Sequence, residues 1–208
     1  MADPPWSYDS PRAIVGNGGR GSDGGKAALI IQADVTQHYP TMGIDEIKAL
    51  PVAAHVLDDS LLFLWTTNAY LADGQAADVV KAWGFKPKTV ITWAKTKAGT
   101  SEPSMKMGHW FRGASEHIIL GVRGAPKRPD GMPALPTWVP SQRQPHSVKP
   151  DTFYEMVEKV CPGPYLELFA RRPRGEGWFV WGNEVVSTFS WDTAIATPTL
   201  ILTKTNIL

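Results

Sequence analysis

Residues 3–6 of the chain are Asp3-Pro4-Pro5-Trp6, a grouping whose residue types can do chemistry together. Two prolines fix φ and remove two backbone donors, which leaves carbonyl oxygens that only accept. A carboxylate and a carbonyl held rigidly side by side suit an exocyclic amine with two N–H bonds to offer. A neighbouring indole offers the amine's ring a flat surface for stacking. Accepting both hydrogens draws the nitrogen lone pair out of conjugation, which is what methylating the 6-amino group of adenine requires. The same four residues also read as a proline-stiffened turn at the end of an element, so the rest of the chain has to choose.

Other familiar constellations fail. The stretch "GGRGSDGGKA" (18–27) suggests a phosphate loop, but the glycine required five residues before Gly25 is Arg20. Where a metal-binding hydroxyl should follow Lys26 stands Ala27. The five histidines (38, 55, 109, 117 and 146) have no metal-ligand spacing, and the single cysteine, Cys161, cannot build a thiolate site, so no metal is expected. No nucleophile-elbow sequence occurs. A lone cysteine also excludes an internal disulfide and suits a reducing cytoplasm.

Elements must position the candidate site. An apolar share of 43% over 208 residues fits one globular domain. The longest apolar run, Leu61 to Trp65, is far too short to cross a bilayer. "SLLFLWTT" (60–67) reads as a buried parallel strand. "AYLADGQAADVVKAWGF" (69–85) shows helical spacing with a stop at Gly84. "KTVITWAK" (88–95) and "EHIILGVRG" (116–124) read as strands, and "KPDTFYEMVEKVCPG" (149–163) as a helix opening at Pro150. "YLELFARR" and "GWFVWGNE" read as two further strands. A short helix with Asp45 and Glu46 in its first turn ends near Pro51. Residues 7–38, with six glycines between Gly16 and Gly25, read as a flexible loop beside the site, and 125–145, with six prolines, as a surface excursion. Strands alternating with helices predict an α/β domain with a mostly parallel sheet and helices on both faces, its ligands at the carboxyl ends of the strands.

The order of motifs then becomes specific. Asp3-Pro4-Pro5-Trp6 is followed by "YPTM" (39–42), "DEIKALP" (45–51), "LFLWTTN" (62–68), "AWGF" (82–85), "ITWAK" (91–95), "GHW" (108–110), "EHIILGVRG" (116–124), "HSVKPDTFYEMVE" (146–158), "PGPYLELFARR" (162–172) and "GWFVWGNE" (177–184). In this order, and over residues 1–186, the chain resembles the MTA-type N(6)-adenine methyltransferases, relatives of the messenger-RNA adenosine methylase catalytic subunit. The motifs are closer to bacterial and phage members, whose expected substrate is DNA. The tail at 187–208 has no counterpart in the resemblance.

The resemblance implies a Rossmann-like fold and S-adenosylmethionine as cofactor. It makes Asp3, Pro4, Pro5 and Trp6 catalytic, with Asp3, Lys149, Arg171, Asn183 and Glu184 at the cofactor. Tyr39, in the "YPTM" match, is expected on the wall of the base pocket near Trp6. Arg112 and Arg143 flank irregular segments and read as phosphate contacts or, equally, as solvated charge. The family's histidine and asparagine after Arg171 are replaced by Arg172-Pro173-Arg174. With a net charge of +1, affinity for nucleic acid must come from local patches. RNA as substrate, or a non-catalytic partner subunit of the same fold, are the alternatives, and a homo- or heterodimer is left open. Family members carry an apolar strand leading into the motif. Only Met1 and Ala2 precede Asp3, so that strand is expected to be missing and the chain to start inside a longer frame.

Overall fold

A computed structural model describes residues 1–7, 41–107, 110–145 and 148–192. Its elements in chain order are α1 (Ile44–Lys48), β1 (Ser60–Thr66), α2 (Asn68–Ala72), α3 (Gln75–Ala82), β2 (Lys86–Thr96), β3 (Ser115–Arg123), β4 (Trp138–Gln142), α4 (Asp151–Val160), β5 (Tyr165–Leu168) and β6 (Trp178–Trp181). The glycine-rich 7–38 reading and the tail beyond Asp192 fall, apart from Ser7, outside the described residues.

Four strands pair in the order β1-β3-β2-β4 and two as β5-β6. The amino-terminal residues join these groups. Ala2 bridges in parallel to both Leu64 of β1 and Leu168 of β5. Its N–H donates to the Phe63 carbonyl at 2.9 Å and its own carbonyl accepts from Trp65 at 2.8 Å, while Leu168 N–H donates to the Met1 carbonyl at 2.9 Å. Met1–Asp3 thus occupies a central strand position, with both ladders satisfied. In line with it, between β1 and β5, lies an apolar cavity of about 670 Å³ bordered by Met1, Leu61, Phe63, Tyr165 and Leu166.

The sheet is mixed. β5–β6 and β2–β4 are parallel, whereas β3 runs antiparallel to both β1 and β2. The run 60–67 is buried as read, but one of its neighbours is antiparallel. A fully apolar strand reports burial on both faces, not the direction of its partner.

Helices cover both faces. On one, Ile47 of α1 and Val79 and Val80 of α3 pack with Leu62, Leu64 and Ile119. On the other, Phe153, Met156 and Val157 of α4 pack with Phe63, Trp65, Trp93 and Ile118. Burying each large α4 side chain contributes about 1.5–3 kcal/mol. Trp65 sits at the centre of that layer, edge-on to both Trp93 and Phe153.

Two readings change in detail. The stretch 69–85 is two helices, broken at Gly74, whose φ of 83° is left-handed. Asp73 caps the second helix by accepting from Gln75 N–H at 2.9 Å. The proline-rich 125–145 segment contains β4, paired in parallel with β2 from Thr92↔Trp138 to Thr96↔Gln142. It is the last strand in its order, where Pro140 is tolerated because one side needs no ladder donor. Among the described residues no helix is long and apolar enough to cross a membrane, and no group of metal-ligating side chains gathers.

Candidate active site

The motif begins where the central segment leaves the sheet. Asp3 follows the doubly paired Ala2, so its position is set by the two ladders beneath it. The Pro4 carbonyl accepts from Trp6 N–H at 2.9 Å, and the Pro5 carbonyl from Met42 N–H at 2.9 Å. These bonds close a tight turn around the two prolines. A carbonyl oxygen has two lone pairs, so Pro4 keeps acceptor capacity.

Trp6 is buried, with 5% of its surface exposed. Its indole N–H donates to the Trp65 carbonyl at 3.2 Å. Tyr70 of α2 stacks on its ring with centroids 4.7 Å apart and planes 28° apart, and the Tyr70 hydroxyl donates to the Ser7 carbonyl. The flat surface expected for an incoming base is covered in this conformation, and the indole anchors the exit of the motif. Tyr39 lies outside the described residues.

The Asp3 carboxylate is gripped by Lys149, whose Nζ is 2.7 Å from Asp3 Oδ2. The same ammonium lies 3.3 Å from Glu116 Oε2 and 5.0 Å from the centre of the Trp65 ring. Glu116 Oε1 in turn accepts from Lys95, which sits 4.5 Å over the Trp93 ring. Asp3, Lys149, Glu116 and Lys95 therefore form a chain of alternating charge. Burial alone would lower Lys149, yet Asp3 and Glu116 outweigh it and hold the ammonium above its ordinary value. Burial would likewise raise Glu116, but Lys149 and Lys95 hold that carboxyl below its ordinary value. Lys95 is pushed down by its own burial despite Glu116. At Lys149 and Glu116 the attraction of the partners exceeds the desolvation cost of burial, and at Lys95 burial prevails.

The sequence motifs give Lys149 a role and include Glu116 and Lys95 without one. The available signal was parity. Ile91, Trp93 and Lys95 are alternate buried residues of β2, and Trp93 pairs with Glu116 on β3. A lysine and a glutamate at the ends of two apolar stripes have to face each other across those strands.

Arg171, Asn183 and Glu184 lie where β5 and β6 end. Arg171 is paired with Glu184 at 3.2 Å, and Asn183 is exposed. The two loops approach closely at Gly182, where an added Cβ would come within 2.0 Å of the Ala170 carbonyl. Phe169, next to Leu168 that pairs with Ala2, has φ of 63°. Such a conformation in a bulky residue marks a segment held by its surroundings at a functional edge. Arg143 borders a small polar hollow with Lys95, Lys106 and Glu116, whereas Arg112 is exposed on the β2–β3 connection.

For a cofactor with an amino-acid end and a ribose, the donor set fits. Lys149 has three N–H bonds, of which Asp3 and Glu116 take two. The Arg171 guanidinium suits a carboxylate, and the half-exposed Glu184 suits ribose hydroxyls.

The Type II methyltransferase M.MunI of Mycoplasma sp is 28% identical over 186 residues, covering 88% of this chain and 76% of that protein. The N(6)-adenosine-methyltransferase MT-A70-like protein of Drosophila melanogaster is 33% identical over 150 residues, 71% of this chain and 24% of that protein. The human N(6)-adenosine-methyltransferase catalytic subunit METTL3 is 31% identical over 150 residues, again 71% of this chain and 25% of that protein. The chain thus spans about a quarter of the length of the plant and animal relatives it matches. The MT-A70 family profile matches residues 1–184, and the chain belongs to the MT-A70 family of methyltransferases.

Proposed function

We propose that the protein is an S-adenosylmethionine-dependent N(6)-adenine methyltransferase acting on DNA. The observation that carries this reading is the Asp3 carboxylate, fixed by Lys149 at 2.7 Å beside the Pro4 carbonyl at the end of a central strand. Lys149, Arg171, Asn183 and Glu184 would hold the cofactor, which when bound supplies an electrophilic methyl group on its sulfonium. Asp3 and Pro4 accept the two N–H bonds of the adenine amine and direct its lone pair outward. Trp6, fixed between the Trp65 carbonyl and Tyr70, keeps the turn that carries the Pro4 carbonyl from relaxing. The contribution of these groups is positioning and preorganised electrostatics.

Adenine reaches such a pocket only after leaving the duplex stack or from a single strand. DNA is favoured by the likeness of the motifs to the bacterial and phage branch. It is favoured also by the similarity to a protein named as a type II methyltransferase, which extends over 88% of this chain and 76% of that protein. The relatives named as adenosine methyltransferases keep RNA as the second reading. Transfer of labelled methyl groups from the cofactor to matched DNA and RNA oligonucleotides tests both. Label on the adenine N6 of DNA supports the reading; label on RNA alone replaces it with the second; label on neither removes it.

A further inference from the structure

Among the described residues, four of the eight exposed large apolar side chains lie on one connection. Met105, Met107, Trp110 and Phe111 are 50%, 80%, 86% and 91% exposed. All four lie on the connection between β2 and β3, and such a patch marks an interaction surface. The base of this connection is well built. Lys95 N–H donates to the Ala114 carbonyl at 2.8 Å, Ser104 N–H to the Lys95 carbonyl at 2.7 Å, and Lys106 N–H to the Gly113 carbonyl at 2.8 Å. The bonded base is continuous with the active site, because Lys95 and Glu116 belong to the charge chain that ends on Asp3.

The charge of the patch selects its partner. From Pro103 to Ser115 there is no Asp or Glu, and Lys106 and Arg112 stand among the aromatic and methionine side chains. Lys106 also borders the hollow shared with Lys95 and Arg143. Exposed aromatic faces interspersed with cations, with no acid to repel phosphate, match a nucleic-acid strand with unstacked bases. We propose that this connection is a stacking platform on which Trp110 and Phe111 hold unpaired bases flanking the target adenine. Lys106 and Arg112 meet the phosphates between those bases. The inference rests on the methyltransferase reading and extends it: the substrate is unpaired around the target adenine, whether single-stranded or locally opened.

The test is binding by the full chain, measured separately from catalysis. Fluorescence anisotropy with a short single-stranded oligonucleotide containing one adenine compares wild type with Trp110→Ala, Phe111→Ala and Trp110→Tyr. Each alanine should weaken binding about tenfold, with cofactor affinity unchanged, while Trp110→Tyr retains most of the affinity. Arg112→Ala should flatten the dependence of log K on log salt by about one unit. Unchanged oligonucleotide affinity in both alanine variants overturns the platform, even where the wild type methylates adenine and the enzymatic reading stands. Unchanged affinity together with loss of self-association in sedimentation would instead make the patch a protein interface. A wild type that binds the oligonucleotide normally but transfers no methyl group would remove the enzymatic reading and leave the platform standing.

Discussion

Lys149 and Asp3, 146 positions apart in sequence, meet at 2.7 Å in a nearly buried ion pair. The pair joins Lys149, two residues before α4, to the first residue of the acceptor turn. It therefore couples the α4 face of the sheet to the geometry of the motif. The second carboxylate on Lys149, Glu116 at 3.3 Å, keeps the ammonium from following Asp3 wherever that side chain turns.

Lys149→Met, which keeps the length of the side chain and removes its charge, should leave two partly buried carboxylates facing each other. Methyl transfer should fall on the order of 10²-fold or more, as when a preorganised donor is removed. Stability should drop by about 3–5 kcal/mol because Asp3 loses its cation while Glu116 keeps only Lys95. Lys149→Arg should restore much of the stability but little of the rate, since its planar fork reaches the carboxylates with different geometry. Steady-state kinetics with denaturant melts separates the two effects.

Asp3→Asn keeps the shape of the acid but makes half of its head a donor, aimed at an amine that also donates. The rate should fall on the order of 10²–10³-fold, and cofactor affinity measured by calorimetry should change little if Asp3 acts chiefly on the adenine amine. A variant that turns over at near wild-type rate would sink the acceptor role.

Glu116 sets an acid limit. Its folded-state carboxyl is held below the ordinary 4.5 because the attraction of Lys149 and Lys95 exceeds the effect of burial. Its contribution is present above the unfolded value and is lost as pH falls through the folded one. Lys149 behaves in the opposite sense. It is held above the ordinary 10.5, so its stabilisation is complete below that value and lost as pH rises through the folded one. The contribution of this pair to the melting temperature should hold steady between these limits and decline below about pH 4.5. Glu116→Gln should lower the neutral plateau and shrink its acid limb.

Much of this architecture was legible because burial leaves a strong imprint on sequence. The run from Ser60 to Thr66 and the spacing of Phe153, Met156 and Val157 read correctly as strand and helix. What the sequence hid depends on long-range partners. The direction of β3 is set by the connections around it and not by its apolar residues. β4 looked like proline-rich loop because only its edge position makes Pro140 acceptable. At the site, Asp3 and Lys149 were visible as types in a motif, whereas Glu116 and Lys95 acquire a role only through the register of β2 on β3. The cover of Tyr70 on Trp6 was equally hidden, since nothing in the spacing of α2 announces that its ring turns back over the amino-terminal turn.

Tyr154 shows how a buried polar partner is settled on the α4 side of the sheet. Its hydroxyl donates to Glu167 Oε1 at 2.7 Å, while Glu167 Oε2 and Arg174 Nε, 3.8 Å apart, are buried without hydrogen bonds. Burial, followed by the nearby Glu167, pushes the phenol well above its ordinary value, so it stays a donor at any working pH. Tyr154→Phe should cost about 1–3 kcal/mol by stranding a second carboxylate oxygen. Adding Glu167→Gln should recover part of that loss, which a double-mutant cycle in urea would read.

Tyr70 makes two contacts with the motif that can be removed one at a time. Its ring stacks on Trp6 and its hydroxyl holds the Ser7 carbonyl. Tyr70→Phe loses only the hydrogen bond, so stability should fall by about 1 kcal/mol with a modest rise in KM for the nucleic acid. Tyr70→Ala also removes the stack and leaves a void beside a buried indole, which should cost about 3–5 kcal/mol. With its support gone, Trp6 should gain freedom and the Pro4 carbonyl should lose its fixed direction. The rate constant should then fall more than KM rises, and hydrogen exchange over the first residues should speed up. If Tyr70→Ala raised KM alone and left exchange there unchanged, Tyr70 would be a packing residue with no hold on the acceptor turn.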